Sequence, residues 1–427
     1  MALFVQKYGG ASVADPACIQ HVARRVWRTR QLGHDVVVVV SAMGDATDNL
    51  IALARQVNPN PDAREMDMLL ATGEQMSVAI LAMALHALGA KAVSMTGPQA
   101  GIFAEPVHRK AKITRVQPDR IVSALKAGHI VIVAGFQGLD PFEDIVTLGR
   151  GGSDMTAVAL AWALQADRCQ FYKDVTGVFT TDPRIVPEAR QMDEISYDEM
   201  LELASMGAEV LQSRAVEFAK NHAVRLEVLS SFEDKPGTLV TAEVGTMENV
   251  VVRGVAADKE QAKVTILKVP DRPGIAAGIF QALAQANINV DMIVLNVSAQ
   301  GQLADISFTV PATDLAQALK VVAVVVPEVS SAGMTHDQGI AKISIVGIGM
   351  RSHSGIAARM FSALADHGID LHMISTSEIK ISVVIPTAQA DEAVRILHRE
   401  FELDKPPTVV VDAPGGKTQV ASRDQGA

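Results

Sequence analysis

Two stretches of this chain are close to being one stretch written twice. Gly274-Ile-Ala-Ala-Gly-Ile-Phe-Gln-Ala-Leu-Ala284 and Gly355-Ile-Ala-Ala-Arg-Met-Phe-Ser-Ala-Leu-Ala365 stand at a constant offset of 81, and 11 of the 20 positions from Gly274 to Ile293 are identical without a gap. Such self-similarity means a duplicated module. Each copy reads as a strand, a Pro-Gly or Ser-Gly turn, an amphipathic helix and a strand (288–293; 369–374), then a further strand and helix. That is the order of a ferredoxin-like α+β unit. The two modules are expected over 260–335 and 340–405. Composition shifts at Ser231-Phe-Glu-Asp-Lys-Pro-Gly237, and a linker-like segment is expected to run to about 258. This leaves 1–245 as a separate first domain. Residues 406–427, rich in Gly, Lys, Gln and Ser, are expected to form a disordered tail.

The first domain alternates strands and helices. Val36 to Val40 is an unbroken valine run, the mark of a strand buried on both faces and therefore parallel. Further strands are expected near 3–6, 91–95, 129–134, 144–148 and 169–172, and helical patterns near 48–57, 65–89, 156–166, 196–204 and 213–222. The strands end in Gly, Ser, Lys or Asp, so an open α/β sheet with ligands at its carboxyl edge is expected. Lys7 followed by Gly9 and Gly10 sets a flexible cation beside bare N–H groups, a phosphate-binding arrangement. Ser41-Ala-Met-Gly-Asp-Ala-Thr47 follows the valine strand. Glu74, next to Gly73 in an otherwise apolar helix, is either a site carboxylate or a surface residue. Thr147-Leu-Gly-Arg-Gly-Gly-Ser-Asp-Met-Thr156 is either an anion-binding turn at a helix start or a glycine turn capped by Ser153 or Asp154.

Composition narrows the function classes. Aromatic residues are 4% of the chain and the formal charge is −10, so neither a stacking platform nor a basic surface for nucleic acid is expected. Cys18 and Cys169 stand apart, with no Cys-x-x-Cys pattern or His cluster, so no disulfide framework or zinc site is indicated. No charged leader followed by a long apolar stretch opens the sequence, and no later apolar run is expected to approach the ~20 residues of a bilayer span. A cytoplasmic protein without membrane partners is expected.

Taken together, Val5-Gln-Lys-Tyr-Gly-Gly10, Ser41-Ala-Met43, Thr72-Gly-Glu74, Leu148-Gly-Arg-Gly-Gly-Ser-Asp154, Asp174-Val175, Thr181-Asp-Pro-Arg184 and Ile374-Ser-Thr-Ser-Glu378 closely resemble the aspartate kinases, in order and spacing. The resemblance spans nearly the whole chain. It implies the amino acid kinase fold, an open mostly parallel sheet between helices, followed by two ferredoxin-like ACT modules. It implies ATP-dependent phosphorylation of the β-carboxylate of L-aspartate, or of a related small carboxylate, with Mg²⁺. By motif, Lys7, Gly9 and Gly10 would meet the phosphates and Asp154 would organise the transferred group. Ser41, Thr47, Glu74, Arg150, Gly151, Gly152 and Ser153 would hold the amino acid. Lys173, Asp174, Asp182, Arg184 and Glu209 would fall on the nucleotide side, and no protein metal cluster is implied. Lysine or threonine would bind the ACT modules at Asp271, Gly274, Ile275, Asn289, Asp291, Asn296, Ser375 and Thr376. A homodimer through the ACT modules is expected, or an α₂β₂ assembly if Met247 starts a separate chain.

Five departures from the family cluster on the nucleotide side. Ala11 and Met155 replace hydroxyl residues, Lys173 stands where Thr or Ser is usual, Thr176 stands where Asp is usual, and Glu209 replaces a lysine. At about 4 Å and an effective dielectric of about 20, one unit charge pair is worth ~4 kcal/mol, so a Lys-to-Glu reversal beside a polyphosphate is large. An alternative therefore follows: a repurposed homologue with weakened or lost ATP use, acting as a non-phosphorylating enzyme or a ligand-binding protein. Leu295 stands where Gln is common before Asn296, which would weaken effector binding.

Overall fold

Val36 to Val40 are fully buried, as a strand enclosed on both faces must be. The computed structural model describes residues 1–205, 210–242, 251–297, 303–406, 409–412 and 418–421. The chain divides into two units, Met1–Phe179 with Gln191–Gly245, and Thr180–Arg190 with Thr246–Ala427.

In the first unit an eight-stranded sheet runs in the order Glu194–Ser196, Thr238–Thr241, Leu226–Ser230, Arg168–Lys173, Leu3–Tyr8, Asp35–Val40, Ile130–Ala134, Ala92–Met95. All neighbours are parallel except Leu226–Ser230 with Thr238–Thr241. Register sets Tyr8 opposite both Val40 and Tyr172, and Val40 opposite Ala134. Four strand carboxyl ends therefore finish at one level. A smaller four-stranded sheet, Ile113–Val116, Ile102–Ala104, Gln137–Leu139 and Ile145–Thr147, supports the loop that follows Thr147. Helix Ala63–Ala87 is long and apolar enough to cross a bilayer by length and composition. The sequence patterning did not bring this out, because Glu65, Asp67 and Glu74 interrupt the run. It packs into the first unit instead, with Leu81 and Leu85 buried in the core formed with helix Pro16–Gln31.

The second unit holds one six-stranded antiparallel sheet in the order Ile293–Val297, Leu303–Pro311, Gly254–Pro270, Gly333–Val346, Lys380–Pro386, Met373–Thr376. Its two central strands each serve both modules. Residues 261–270 pair with 303–311 and build the first module, whereas 254–258 pair with 342–346 and supply the last strand of the second. The first module is thus inserted within the second. This corrects the linker expected up to 258: Thr238–Thr241 is already a strand of the first unit's sheet, and Gly254–Asp258 is strand, stabilised by partners far along the chain. Each module has its own core, one around Phe308 and Leu283, the other around Ile343, Val383 and Leu397.

Thr180–Arg190 is a strap whose Val186 is buried in the second module's core. Arg395 Nε donates to the Ile185 carbonyl, Val255 N–H to the Thr180 carbonyl, and the Thr180 hydroxyl meets His398 Nε2 at 3.0 Å. Burial pushes the His398 imidazole below its ordinary pKa, so it meets Thr180 as a neutral ring. In the tail expected to be disordered, Val409–Asp412 pairs with Thr418–Ala421 as an antiparallel ladder. Three consecutive valines carry the β propensity there, against the polar composition around them.

Candidate active site

Lys7, Ser41, Gly135 and Lys173 stand at or just beyond four adjacent strand ends, and a cleft of about 240 Å³ opens there. Its lining includes Lys7, Ser41, Phe136, the loop Gly149–Asp154, Lys173 and Gln212. Gly149 and Gly151 have φ +74° and +73°, values glycine adopts without strain. A Cβ on Gly151 would lie 2.1 Å from Gln212 Cγ, and one on Gly152 would lie 2.8 Å from Phe136 Cδ2. Packing therefore demands bare backbone as well. Gly151 is the N-cap of helix Gly152–Ala163, without a side-chain cap. The helix thus starts four residues before the apolar pattern from Thr156, and neither Ser153 nor Asp154 caps it. Asp154 turns to Lys7 instead.

Lys7 Nζ lies 2.6 Å from Asp154 Oδ1, and both side chains are buried. Lys173 Nζ lies 3.8 Å from Asp154 Oδ2. Burial alone would raise the Asp154 carboxyl, but the two ammonium groups outweigh it and hold the pKa below the ordinary carboxylate range. Burial lowers the Lys173 ammonium, opposed by Asp154. Two cations around one anion leave a net positive cluster of largely buried side chains, suited to an anionic ligand.

Glu74 stands beside this cleft. Gly73 lets helix Ala63–Ala87 come so close that a Cβ there would lie 2.9 Å from the Ala42 Cβ. Glu74 is 4% exposed, its Oε1 accepts from Ala42 N–H at 3.2 Å, and its Oε2 has no partner. Burial, against the Ala42 N–H and Lys7, pushes its carboxyl up to about 7. An orphaned buried oxygen costs about 1–3 kcal/mol or more. A ligand ammonium would satisfy it.

Gly9 and Gly10 open a short 3-10 turn directly after the first strand, and a Cβ on Gly10 would lie 3.0 Å from the Ala42 carbonyl. Thr47, on helix Ala46–Val57, is half-buried, and Asp174 is exposed; neither lines the cleft. Asp182 and Arg184 pair with each other at 2.8 Å in the strap of the second unit. Glu209 lies outside the described residues. Met155 is buried, whereas Ala11 is exposed. Phe136, at φ +69°, and Gln212 line the cleft without having been expected there. A left-handed Phe leaves no mark in sequence, and Gln212 follows a segment read only for its charge.

The effector candidates do not converge within one chain. Asn296 is on one edge strand of the six-stranded sheet, and Ser375 and Thr376 are on the opposite edge. Asp271 and Asn289 are exposed, and Gly274 and Ile275 open helix Ile275–Gln285. Asp291 forms an ion pair with the buried Lys342.

Residues 2–230 match the amino acid kinase family, and residues 267–324 and 343–401 match the ACT domain. The aspartokinase of Mycolicibacterium smegmatis is 50% identical over 421 residues, 98% of this chain and 100% of that protein. The aspartokinase of Geobacillus stearothermophilus is 52% identical over 403 residues, 94% of this chain and 98% of that one. The crystal structure of Escherichia coli aspartokinase III in complex with aspartate and ADP (R-state) aligns with a TM-score of 0.80 at 25% identity, covering 93% of this chain and 99% of that one.

Proposed function

The chain belongs to the aspartokinase family, and we propose on that footing that it transfers the terminal phosphoryl group of ATP to the β-carboxylate of L-aspartate. The observation that carries this reading is the pairing of Glu74, with its orphaned oxygen, and the Lys7–Asp154–Lys173 array around one group of strand ends. Glu74 Oε2 would accept from the substrate ammonium, and Arg150 would grip the α-carboxylate as a planar fork. Ser41 and Ser153 offer hydroxyls to the same molecule. The β-carboxylate is ionised at neutral pH, so no general base is needed. One of its oxygens bonds to the γ-phosphorus as the bond to the ADP oxygen breaks and the electron pair leaves with ADP.

Lys7 and Lys173 would meet the charge on the phosphate oxygens, with Asp154 fixing both ammonium groups. Gly9 and Gly10 permit close approach of backbone to phosphate. The residues present therefore fit a nucleotide polyphosphate. When bound, ATP supplies the phosphoryl group and Mg²⁺ neutralises part of its charge. Among the described residues no group of three or more His, Cys, Asp or Glu could hold a metal, so Mg²⁺ would enter with the nucleotide and use Asp154 as its carboxylate.

The repurposed reading has no support: the ~50% identity is to proteins named aspartokinase, and Met155 is buried off the cleft lining. Lysine or threonine would act through the ACT modules. A site that unites Asn296 with Ser375 and Thr376 requires a second copy, since they lie on opposite edges. The exposed Ile293, Leu295 and Val297 on one edge strand favour such a homodimer. An α₂β₂ assembly would depend on Met247, outside the described residues. With Leu295 at the edge, inhibition by lysine plus threonine should be weak.

The test is ADP release with ATP and L-aspartate, with the acyl phosphate trapped by hydroxylamine. Aspartate-dependent ADP and hydroxamate in equal amounts are expected. Neither product, together with no calorimetric ATP binding, would overturn the reading.

A further inference from the structure

One buried carboxylate has no part in the roles above. Asp67 lies in helix Ala63–Ala87, two turns before Glu74 on the same face, and is 0% exposed. Its Oδ1 accepts from the Thr147 hydroxyl at 2.6 Å, and its Oδ2 meets His108 Nδ1 at 2.9 Å. The Arg109 N–H reaches both oxygens, at 3.2 and 3.0 Å. These partners come from two other segments. Thr147 ends the strand Ile145–Thr147, three residues before Arg150. His108 and Arg109 belong to the turn between the strands Ile102–Ala104 and Ile113–Val116.

That turn presses on the cleft loop. Arg109 is held at φ +67°, a conformation costly for a side-chain-bearing residue. Its carbonyl packs so tightly on Gly149 that a Cβ there would come within 2.9 Å. Ala111 N–H donates to the Thr147 carbonyl at 3.1 Å. A single carboxylate therefore joins the helix that carries Glu74, the turn that braces Gly149, and the strand that delivers Arg150.

We propose that Asp67 is the positioning residue that fixes the span between Glu74 and Arg150, and with it the length of amino acid the clamp accepts. The proposal rests on the reading of those two residues as the ammonium and carboxylate holders. Asp67 does not line the cleft and acts through the backbone it ties. Its two oxygens accept from Thr147 and Arg109 and meet His108. Replacing one oxygen by an amide NH₂ turns an acceptor toward donors, so an isosteric Asn cannot keep all of these bonds. Span matters because one methylene in a pocket is discriminated by only roughly 10–200-fold, so a clamp free to shift loses much of that margin.

The experiment compares the full-length wild type with Asp67→Asn and Thr147→Val. Hydrogen exchange of the ligand-free proteins is read at Gly149–Gly152, with Ile130–Ala134 as an internal control. Exchange at Gly149–Gly152 should rise tenfold or more in Asp67→Asn and several-fold in Thr147→Val, with the control strand unmoved. KM for L-aspartate should rise tenfold or more in Asp67→Asn while KM for ATP stays within twofold, and the preference for L-aspartate over L-glutamate should fall. Unchanged exchange at Gly149–Gly152 in the folded variants overturns the proposal, whatever acceptor the enzyme uses. Faster exchange with unmoved aspartate KM and acceptor preference overturns it as well. Thr147→Val removes one bond at nearly constant shape and supplies the answer if Asp67→Asn does not fold. A wild type inactive on aspartate would count against the proposed function, while the exchange data still decide the role of Asp67.

Discussion

A carboxyl group that titrates near 7 is half neutral at neutral pH, and Glu74 is such a group. Only its ionised form can pair with a substrate ammonium. KM for L-aspartate should therefore be flat above about pH 8 and rise toward tenfold per pH unit below about pH 6, measured from pH 5.5 to 8.5. The stability effect has the opposite direction. The folded pKa lies above the unfolded value near 4.5, so folding holds an extra proton between those values and stability falls as pH rises through 7. Glu74→Gln should remove up to on the order of 3 kcal/mol of that penalty in ligand-free protein at pH 8, seen as a raised melting temperature. It should weaken aspartate binding at least a hundredfold. Lys173→Met should lower kcat by about a hundredfold with aspartate KM little changed, because a cation near the developing charge acts in the transition state. Glu74 was legible as a candidate because a Gly-Glu pair interrupts an apolar helix. Asp67 was not: its partners are 41, 42 and 80 residues away, and an acid in the same helix reads like a solvated position.

Elements followed the same logic. Unbroken apolar runs located Asp35–Val40 and Ile130–Ala134, since burial on both faces leaves no alternative composition, whereas Glu194–Ser196, Leu226–Ser230 and Thr238–Thr241 of the same sheet, short and mixed with polar residues, gave no such signal. Helix starts were less clear. The apolar repeat begins at Thr156, but the first turn opens with Gly152, Ser153 and Asp154, which line the cleft, with Asp154 in contact with Lys7. Gly151→Ala places a methyl at φ +73° against Gln212. That should cost about 2–4 kcal/mol by strain and displacement, read as a fall in melting temperature, and should abolish turnover by shifting Arg150 and Asp154. The strand Gly254–Asp258 escaped notice because Ala-Ala-Asp does not alternate. Its pairing comes from the strand Gly333–Val346 rather than from its own pattern.

At the scale of the whole molecule, duplication was plain in the sequence and insertion was not. Repeats reveal copies, but not that the second copy borrows its last strand from residues before the first. Nor did composition show that Thr180–Arg190 belongs with the second unit, since in sequence it continues directly from the first unit's strand Arg168–Lys173. A fragment of residues 1–245 lacks the core around Val186. Hydrogen exchange across Thr180–Arg190 should be at least tenfold faster in that fragment than in the full chain, and equal rates would show that the strap needs no such core.

The strap also sets a schedule for synthesis. Ile185 must wait for Arg395, 210 residues later, and Gly254 waits for Val346. At roughly 5–20 residues per second, a ribosome needs on the order of 10–40 s to cover the first of these distances. Through that interval the emerging chain displays Ile185, Val186 and Ala189 without the surface that will bury them. A chaperone that binds short apolar segments would find them there, and the helix Ala390–Glu400, which carries Arg395, is the one that ends its access.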